Sequence, residues 1–492
     1  MIFLLMLFGF SANAIYKLML MRKFPKRGND SYLYLLYTIF LKKQKKLPVI
    51  FDDLYALEYN EMWYPPGLPV ILSILPTKFI QKYYWLISII FDSLIVLFLS
   101  GTVYVLSNSE FLTVLSAFIY IFSFSTINEV NVLTPRIPGL FYFNLLMVSY
   151  FYFIMTNNYY LFAFSLLLGV LVLLTHKMTT QIIFLTFIMF AFILDKFHLI
   201  YIPSVIFLTI IFSKGFYIKI LKSHYDYIQF WSRKWKKMGG HQIKDSPIYG
   251  DIDKSDRLVY QDNFRSYTKY IFNLIFQNQY IIYPIIFFIN NKKNDGLSFY
   301  YLSALTACII FSQAILVYAL PFLRGIGYGG QYGKYTAFFS IIIIPSIWCI
   351  NIVKILIIIN ILILTIIAIK FLIKSQREVL YHWDYRKMTP LFNFIKILKP
   401  DLLWCIPVGL SEPIAYECYQ RVLWGAHGSP TKNIEFILPV LSKPIEEVVE
   451  IWNPSHILFE KAYTNLYKKL KFSIIWENDD YIILKSSNSK NR

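Results

Sequence analysis

Charge is scarce in this 492-residue sequence: Asp, Glu, Lys and Arg together make up 16% of it, against about 25% in an ordinary soluble domain. A soluble protein of this length could not cover its surface with so little. Hydrophobic residues fill 57% instead, and aromatics reach 19%, mostly Tyr and Phe, rings that settle at membrane–water interfaces. Cysteine is scarce too. Cys308 and Cys349 fall in apolar runs and read as core residues. Cys405 and Cys418 lie in the C-terminal stretch, where a disulfide and free thiols are both open, and the spacing fits no metal motif. No internal repeat is evident. The N-terminus lacks the positively charged start of a secretory leader, and its apolar run continues past Ala12-Asn13-Ala14 to Leu20, so residues 1–20 read as an uncleaved span. Ionisable residues inside the apolar runs are few and scattered: Asp92, Lys354 and Lys17. Their scarcity counts against an ion-coupled transporter, which needs a cluster at the midplane. The net charge of +19 then points to lipid headgroups and lipid-linked phosphates rather than nucleic acid.

A span takes about 20 mainly apolar residues. The runs that qualify, or nearly so, are 1–20, 83–106, 111–127, 138–156, 159–174, 180–194, 199–213, 268–289, 298–318, 335–350 and 351–373, about eleven in all. Threading the chain through them leaves very short connections on one side. The other side receives 21–82, 128–137, 175–179, 214–267, 319–334 and everything after 374. That side holds both long loops and nearly all the polar residues of interest. It also carries ten Lys/Arg in 21–82 and eleven in 214–267, which by charge alone would place it in the cytoplasm.

The long loops have structure of their own. Residues 31–41, followed by Lys42, Lys43, Lys45 and Lys46, read as a helix lying in the interface. Residues 67–80 and 214–237 read the same way, and 239–263 as a true loop. After Lys374 the composition becomes that of a small soluble α/β domain. Strands are expected at 402–408, 457–459, 472–476 and 481–484, the last two as a hairpin, with helices at 412–423 and 460–470. The division is therefore a membrane region, 1–373, and a C-terminal domain, 374–492.

Residues with chemical potential stand at the mouths of spans on the long-loop side. Asp30, in Gly28-Asn29-Asp30-Ser31, suits a general base toward a hydroxyl or a helix cap, and the roles are compatible. Asp52, Asp53, Glu58 and Glu61 form an acidic group ahead of Trp63-Tyr64-Pro65-Pro66-Gly67. Such a group holds a divalent metal such as Mg or Mn, works as an acid/base pair, or is simply a solvated loop. Arg136, between Pro135 and Pro138 and with Glu129 upstream, suits a phosphate clamp or an ordinary interfacial cation. His176 and Lys177 end a span, where proton transfer, phosphate binding and snorkelling are all open. Arg324, Lys334 and Tyr335 flank or follow Gly325, Gly327, Gly329, Gly330 and Gly333, glycines that let a backbone approach a ligand closely.

The order of these elements resembles the GT-C superfamily of integral-membrane glycosyltransferases, which includes the protein mannosyltransferases and the lipid A aminoarabinose transferase. The resemblance rests on Gly28-Asn29-Asp30-Ser31-Tyr32, Glu61 through Leu68, Thr134-Pro135-Arg136-Ile137-Pro138-Gly139, Leu174-Thr175-His176-Lys177 and Gly333-Lys334-Tyr335. It covers roughly 1–373, and Cys405–Gly409 through Val422–Gly428 also looks like the tail of some members. It implies a mainly α, polytopic GT-C-type fold and an inverting transfer of sugar from a polyprenyl-phosphate donor to a glycan, lipid or protein acceptor. Asp30 and Glu61 would be its acids, with Asp30 as base or acceptor-orienting group. Arg136, His176 and Lys334 would face the donor phosphate, and Asp52, Asp53, Lys177, Arg324 and Tyr335 would line the substrate site. The family's Arg-Tyr pair is Lys334-Tyr335 here, a departure. His382-Trp383-Asp384-Tyr385 is a partial match to an oligosaccharyltransferase motif. The resemblance also sets the long loops outside the plasma membrane, against the charge count, and a site for a lipid phosphate explains the local excess of cations. The alternatives are a lipid or polysaccharide transporter or flippase, and a non-catalytic scaffold that presents the C-terminal domain.

Overall fold

Inside hydrocarbon a backbone must satisfy its own N–H and C=O groups, so the apolar runs become helices. A computed structural model describes residues 1–21, 28–51, 54–57, 61–123, 130, 132–250, 258–260, 264–291, 297–377, 385–398, 401–425 and 434–486. Asp52, Asp53, Glu58, Glu129 and His382-Trp383-Asp384 lie outside the described residues. In chain order the longer helices of the membrane region are α1 (Ile2–Met21), α2 (Asn29–Gln44), α3 (Gly67–Ser73), α4 (Thr77–Ser107), α5 (Glu110–Ile121), α6 (Arg136–Thr156), α7 (Tyr159–Leu173), α8 (Lys177–Ile193), α9 (Tyr201–Phe212), α10 (Phe216–Lys234), α11 (Phe264–Gln277), α12 (Ile282–Asn290), α13 (Phe299–Ala319) and α14 (Asn351–Arg377).

By length and composition, five helices among the described residues can cross a membrane: α1, α4, α6, α13 and α14. The α11–α12 pair, bent by 83°, makes a sixth if it is one span. Of the other runs expected to span, α5, α7, α8 and Lys196–Phe212 form apolar helices of 10–17 residues. Run 335–350 is broken by Pro345 into Ala337–Ile342 and Ile344–Ile347, because proline has no N–H to continue a helix.

The segments expected to lie in the interface are largely helical. Residues 31–41 lie within α2, and 214–237 become α10 followed by a 3-10 turn at Trp235–Lys237. Residues 67–80 divide at Pro76 between α3 and the start of α4. The C-terminal part contributes α15 (Tyr385–Ile397), β1 (Leu403–Ile406), α16 (Ser411–Cys418), α17 (Ile445–Trp452), β2 (His456–Glu460), β3 (Ser473–Glu477) and β4 (Tyr481–Lys485). Its sheet runs β1-β2-β4-β3, with β1 parallel to β2 and β3–β4 an antiparallel hairpin. Two local expectations differ. The helix expected at 412–423 stops at Cys418, where Tyr419 turns left-handed (φ 57) and frees Val422 to pair with Leu403 and Tyr55. Within 460–470 only a 3-10 turn forms, Leu466–Lys469. All four cysteines are free thiols.

The sheet leans on both long loops. Leu36, Tyr37 and Phe40 of α2 share a core with Leu391, Leu403, Ile414 and Ile483. Phe230 of α10 and Ile243 share another with Trp404, Trp424 and Leu441. Gln242 fastens the second loop: its side-chain carbonyl accepts from the Val408 N–H at 2.9 Å, and its amide donates to the Ile437 carbonyl at 2.8 Å.

Between α1 and α4, Lys17 Nζ lies 3.6 Å from Asp92 Oδ2, both fully buried, and Asn13 donates to the same oxygen at 2.9 Å. Two of the scattered intramembrane charges thus neutralise each other. Breaking a buried pair from one side strands the other charge at a cost of about 3–5 kcal/mol. Lys17→Met is therefore expected to lower the unfolding temperature in detergent sharply, and Lys17→Met with Asp92→Leu to recover most of the loss. A single variant as stable as the wild type would refute a paired Asp92.

Candidate functional site

Five of the connections assigned by threading to the long-loop side converge on one cavity of about 270 Å³. Asp30 and Tyr34 come from α2, and Tyr64 from the turn before α3. Arg136 opens α6, His176, Lys177 and Gln181 open α8, and His224, Tyr227 and Trp231 come from α10. Met238 and residues 326–328 with Gln331 complete the wall.

Local structure explains how these groups are held. Ser31, beside Asp30, accepts a hydrogen bond from the Leu133 N–H at 3.0 Å, which ties the start of α2 to the segment leading into Arg136. Tyr64 is set by the Pro65-Pro66-Gly67 turn. The Gly67 N–H donates to the Leu174 carbonyl at 2.6 Å, and a Cβ there would come within 2.6 Å of Thr175 Oγ1. Only glycine permits that approach. On α6, a Cβ at Gly139 would meet Thr179 Oγ1 at 2.8 Å and His176 Cβ at 3.0 Å, so α6 and α8 are pressed together where Arg136 and His176 emerge.

The electrostatics are mixed. Asp30 and Arg136 both act on Tyr34, Tyr64 and Tyr227, with opposite sign, which places them over the same tyrosine cluster. Burial pushes the hydroxyl pKa of all three tyrosines up, so they stay protonated donors. Lys177 stands at the start of α8, ahead of its apolar stretch. Its Nζ donates to Ser223 Oγ at 3.0 Å and lies 4.3 Å from the centre of the Tyr64 ring. Burial pulls its ammonium pKa down to about 7, with Asp226 opposing. His224 is pulled down to about 3 by burial and then by Lys177, and is neutral at physiological pH. His176 Nδ1 is 3.0 Å from Thr179 Oγ1, which is itself 2.7 Å from the Tyr335 hydroxyl.

An anion in this cavity would bind protonated Lys177 better than neutral Lys177. Affinity for a phosphate-bearing ligand is therefore full below the free pKa near 7 and falls as pH rises through it, by up to roughly tenfold per unit. Titrating ligand affinity from pH 6 to 9 checks this. Lys177→Arg should flatten the profile, because a guanidinium keeps its charge throughout.

The other candidates stand elsewhere. Glu61 pairs with Lys219 and accepts from Trp63 Nε1 at 3.0 Å; its Lys219 and then its Trp63 hydrogen bond hold the carboxyl below its usual range. Neither Glu61 nor Lys334 lines the cavity. Arg324 is buried, with its guanidinium 4.2 Å from the Trp235 ring centre and 5.1 Å from that of Tyr260, and Nε donating to the Tyr318 carbonyl at 2.9 Å. It braces the second loop against the 326–331 wall instead of facing the cavity. Tyr335 sits behind His176. Among the described residues no three His, Cys, Asp or Glu side chains gather as metal ligands. Among the described residues Asp30 is the one carboxylate lining the cavity, and with Arg136 and Lys177 in the same lining it is a poor donor set for a hard cation.

Sequence reasoning missed Tyr34, Gln181, His224, Tyr227 and Trp231. A signal existed on α10: Ser223, His224, Tyr227 and Trp231 recur at helical spacing on one face of a helix that was read only as interfacial.

No protein-family model and no curated protein matches the sequence. Among solved structures the chain is similar to the oligosaccharyltransferase of Archaeoglobus fulgidus. With the apo form the TM-score is 0.55 at 12% identity, covering 92% of this chain and 69% of that one. With the form tethered through a disulfide to an acceptor peptide containing the NVT sequon it is 0.56 at 11%, covering 92% and 69%. With the complex with Zn and sulfate it is 0.53 at 12%, covering 92% and 68%. The likeness is one of fold. It agrees with the mainly helical architecture and small C-terminal sheet expected, and does not single out the mannosyltransferase or aminoarabinose-transferase branch.

Proposed function

We propose that the protein is a membrane glycosyltransferase that moves a sugar from a polyprenyl-phosphate donor to a hydroxyl or amide of a glycan, lipid or protein acceptor. The observation that carries this reading is the meeting of Asp30 with Arg136 and Lys177 in one cavity of a chain with an oligosaccharyltransferase fold. Transfer needs a base for the acceptor and fixed positive charge for the departing phosphate. In the proposed step Asp30 takes the acceptor proton as the acceptor oxygen or nitrogen attacks the anomeric carbon. The bond to the phosphate oxygen breaks on the opposite face, giving inversion. Arg136 and protonated Lys177 hold the phosphate as charge builds on it, and the tyrosine hydroxyls orient the sugar. Glu61, tied to Lys219 and Trp63, orients the Trp63-Tyr64 segment in this scheme instead of serving as a second acid. A divalent metal of the Mg or Mn type would need the acids at 52, 53 or 58, and no step is assigned to it.

The site is assigned to the extracytoplasmic face of the plasma membrane, where a polybasic surface meets lipid-linked phosphate. The test is reconstitution of the purified protein in vesicles with a polyprenyl-phosphate sugar, followed by release of polyprenyl phosphate and appearance of glycosylated acceptor. Turnover of neither across a panel of sugars would refute the reading.

A further inference from the structure

The polar groups around His224 form a chain whose proton positions can be worked out. Gln181 sets it. Its Nε2 lies 3.2 Å from the Ile326 carbonyl, which can only accept, and its Oε1 receives the Tyr332 hydroxyl at 2.5 Å. The amide orientation is therefore decided by its neighbours. The second N–H of Gln181 then meets His224 Nε2 at 2.9 Å. A donor facing that nitrogen requires it to be the acceptor, so the ring proton resides on Nδ1. The ring lines the cavity and is half-buried, on the same face of α10 as Ser223 and Tyr227. Among the described residues, Nδ1 has no acceptor.

The groups around it keep the ring neutral. Lys177 approaches from α8, itself held by Ser223. Asp30 of α2 and Arg136 of α6 line the cavity with it, and Asp226 lies on its own helix. Burial, and then Lys177, hold the ring neutral, so the imidazole does not charge in the physiological range.

We infer that His224 is a donor-binding residue: a neutral imidazole, locked in the Nδ1–H tautomer by Gln181, that donates one hydrogen bond to an oxygen of the sugar-phosphate in the cavity. This rests on the proposed glycosyl-donor reading. An uncharged N–H beside Lys177 adds direction where an ammonium supplies only charge, and it gives selectivity because an acceptor missing at that point would leave the N–H unsatisfied. The oxygen is either a sugar hydroxyl or a phosphate oxygen, and the two are separable.

The test compares His224→Ala, His224→Gln and His224→Asn in the full-length protein. The Asn amide nitrogen can occupy the place of Nδ1, whereas the Gln amide reaches the place of Nε2. Binding is measured with farnesyl phosphate and with its mannosyl and glucosyl phosphodiesters. Loss of one neutral hydrogen bond is worth about 1 kcal/mol, or roughly fivefold in affinity. H224A and H224Q should weaken binding by about that factor, and H224N should restore most of it. Rescue by Asn but not Gln is a pattern that simple packing would not produce. Equal loss for farnesyl phosphate and the phosphodiesters assigns the bond to the phosphate; loss confined to the phosphodiesters assigns it to the sugar. Wild-type affinity in all three variants, or rescue by Gln rather than Asn, would overturn the role of His224 and leave the donor reading standing. Failure of the wild type to bind any probe would overturn both.

Discussion

Asp30→Asn is expected to reduce sugar transfer by roughly 10²–10⁴-fold while leaving donor binding near its wild-type value. The substitution keeps the size of the side chain and removes its charge, and with it the ability to take a proton. The competing role, a helix cap, predicts something else. Gly28 is the cap residue of α2, and Asp30 sits in the first turn, where its charge favours the helix dipole. Neutralising it there costs about 0.3–1 kcal/mol. Loss of function with an almost unchanged unfolding temperature would therefore identify a base. A fall in stability that accounts for the fall in activity would reduce Asp30 to a cap, and full activity would eliminate it as the base. Asp30→Glu adds a check, because a carboxylate displaced by one methylene should retain part of the rate.

Arg136→Ala is expected to be nearly as damaging, with a loss in kcat of roughly 10²–10³-fold, by removing charge stabilisation from the departing phosphate. Its position argues for function before any assay. Arg136 is the first residue of α6, at the positive end of the helix dipole, where a cation is disfavoured. A loss of activity larger than any fall in the unfolding temperature would separate lost charge stabilisation from misfolding. The same helix end adds its own partial positive charge to the place where a phosphate would sit. Arg136→Lys should recover only part of the rate, since an ammonium cannot engage two phosphate oxygens in the geometry of a guanidinium. Unchanged kcat in Arg136→Ala would remove the phosphate from this end of the cavity.

Much of this molecule was legible because membranes impose simple rules. Low charge and long apolar runs mark helices whatever their neighbours, since each helix bonds its own backbone. Polar residues at the ends of such runs stand out against an apolar background, and Asp30, Arg136, His176 and Lys177 were found for that reason. Among the described residues not all of the eleven apolar runs become helices of full crossing length, because apolar composition does not by itself set where a helix starts and stops. The run at 335–350 breaks at Pro345, and α5, α7 and α8 fall short of a full crossing length.

Other features depended on packing between distant segments. The resemblance made Glu61 a second acid beside Asp30, and packing pairs it with Lys219, 158 residues on. Arg324, in a glycine-rich connection, was expected to line the substrate site, yet Trp235 and Tyr260 enclose it. His224 drew no notice on an interfacial helix until α8 brought Gln181 against it. Sequence alone thus determined the class of protein, its helices and the polar residues at their ends, because those follow from local composition and backbone bonding. Only the tertiary structure decided which of those residues share a cavity and which protons they hold, because both depend on partners that meet only when the chain is packed.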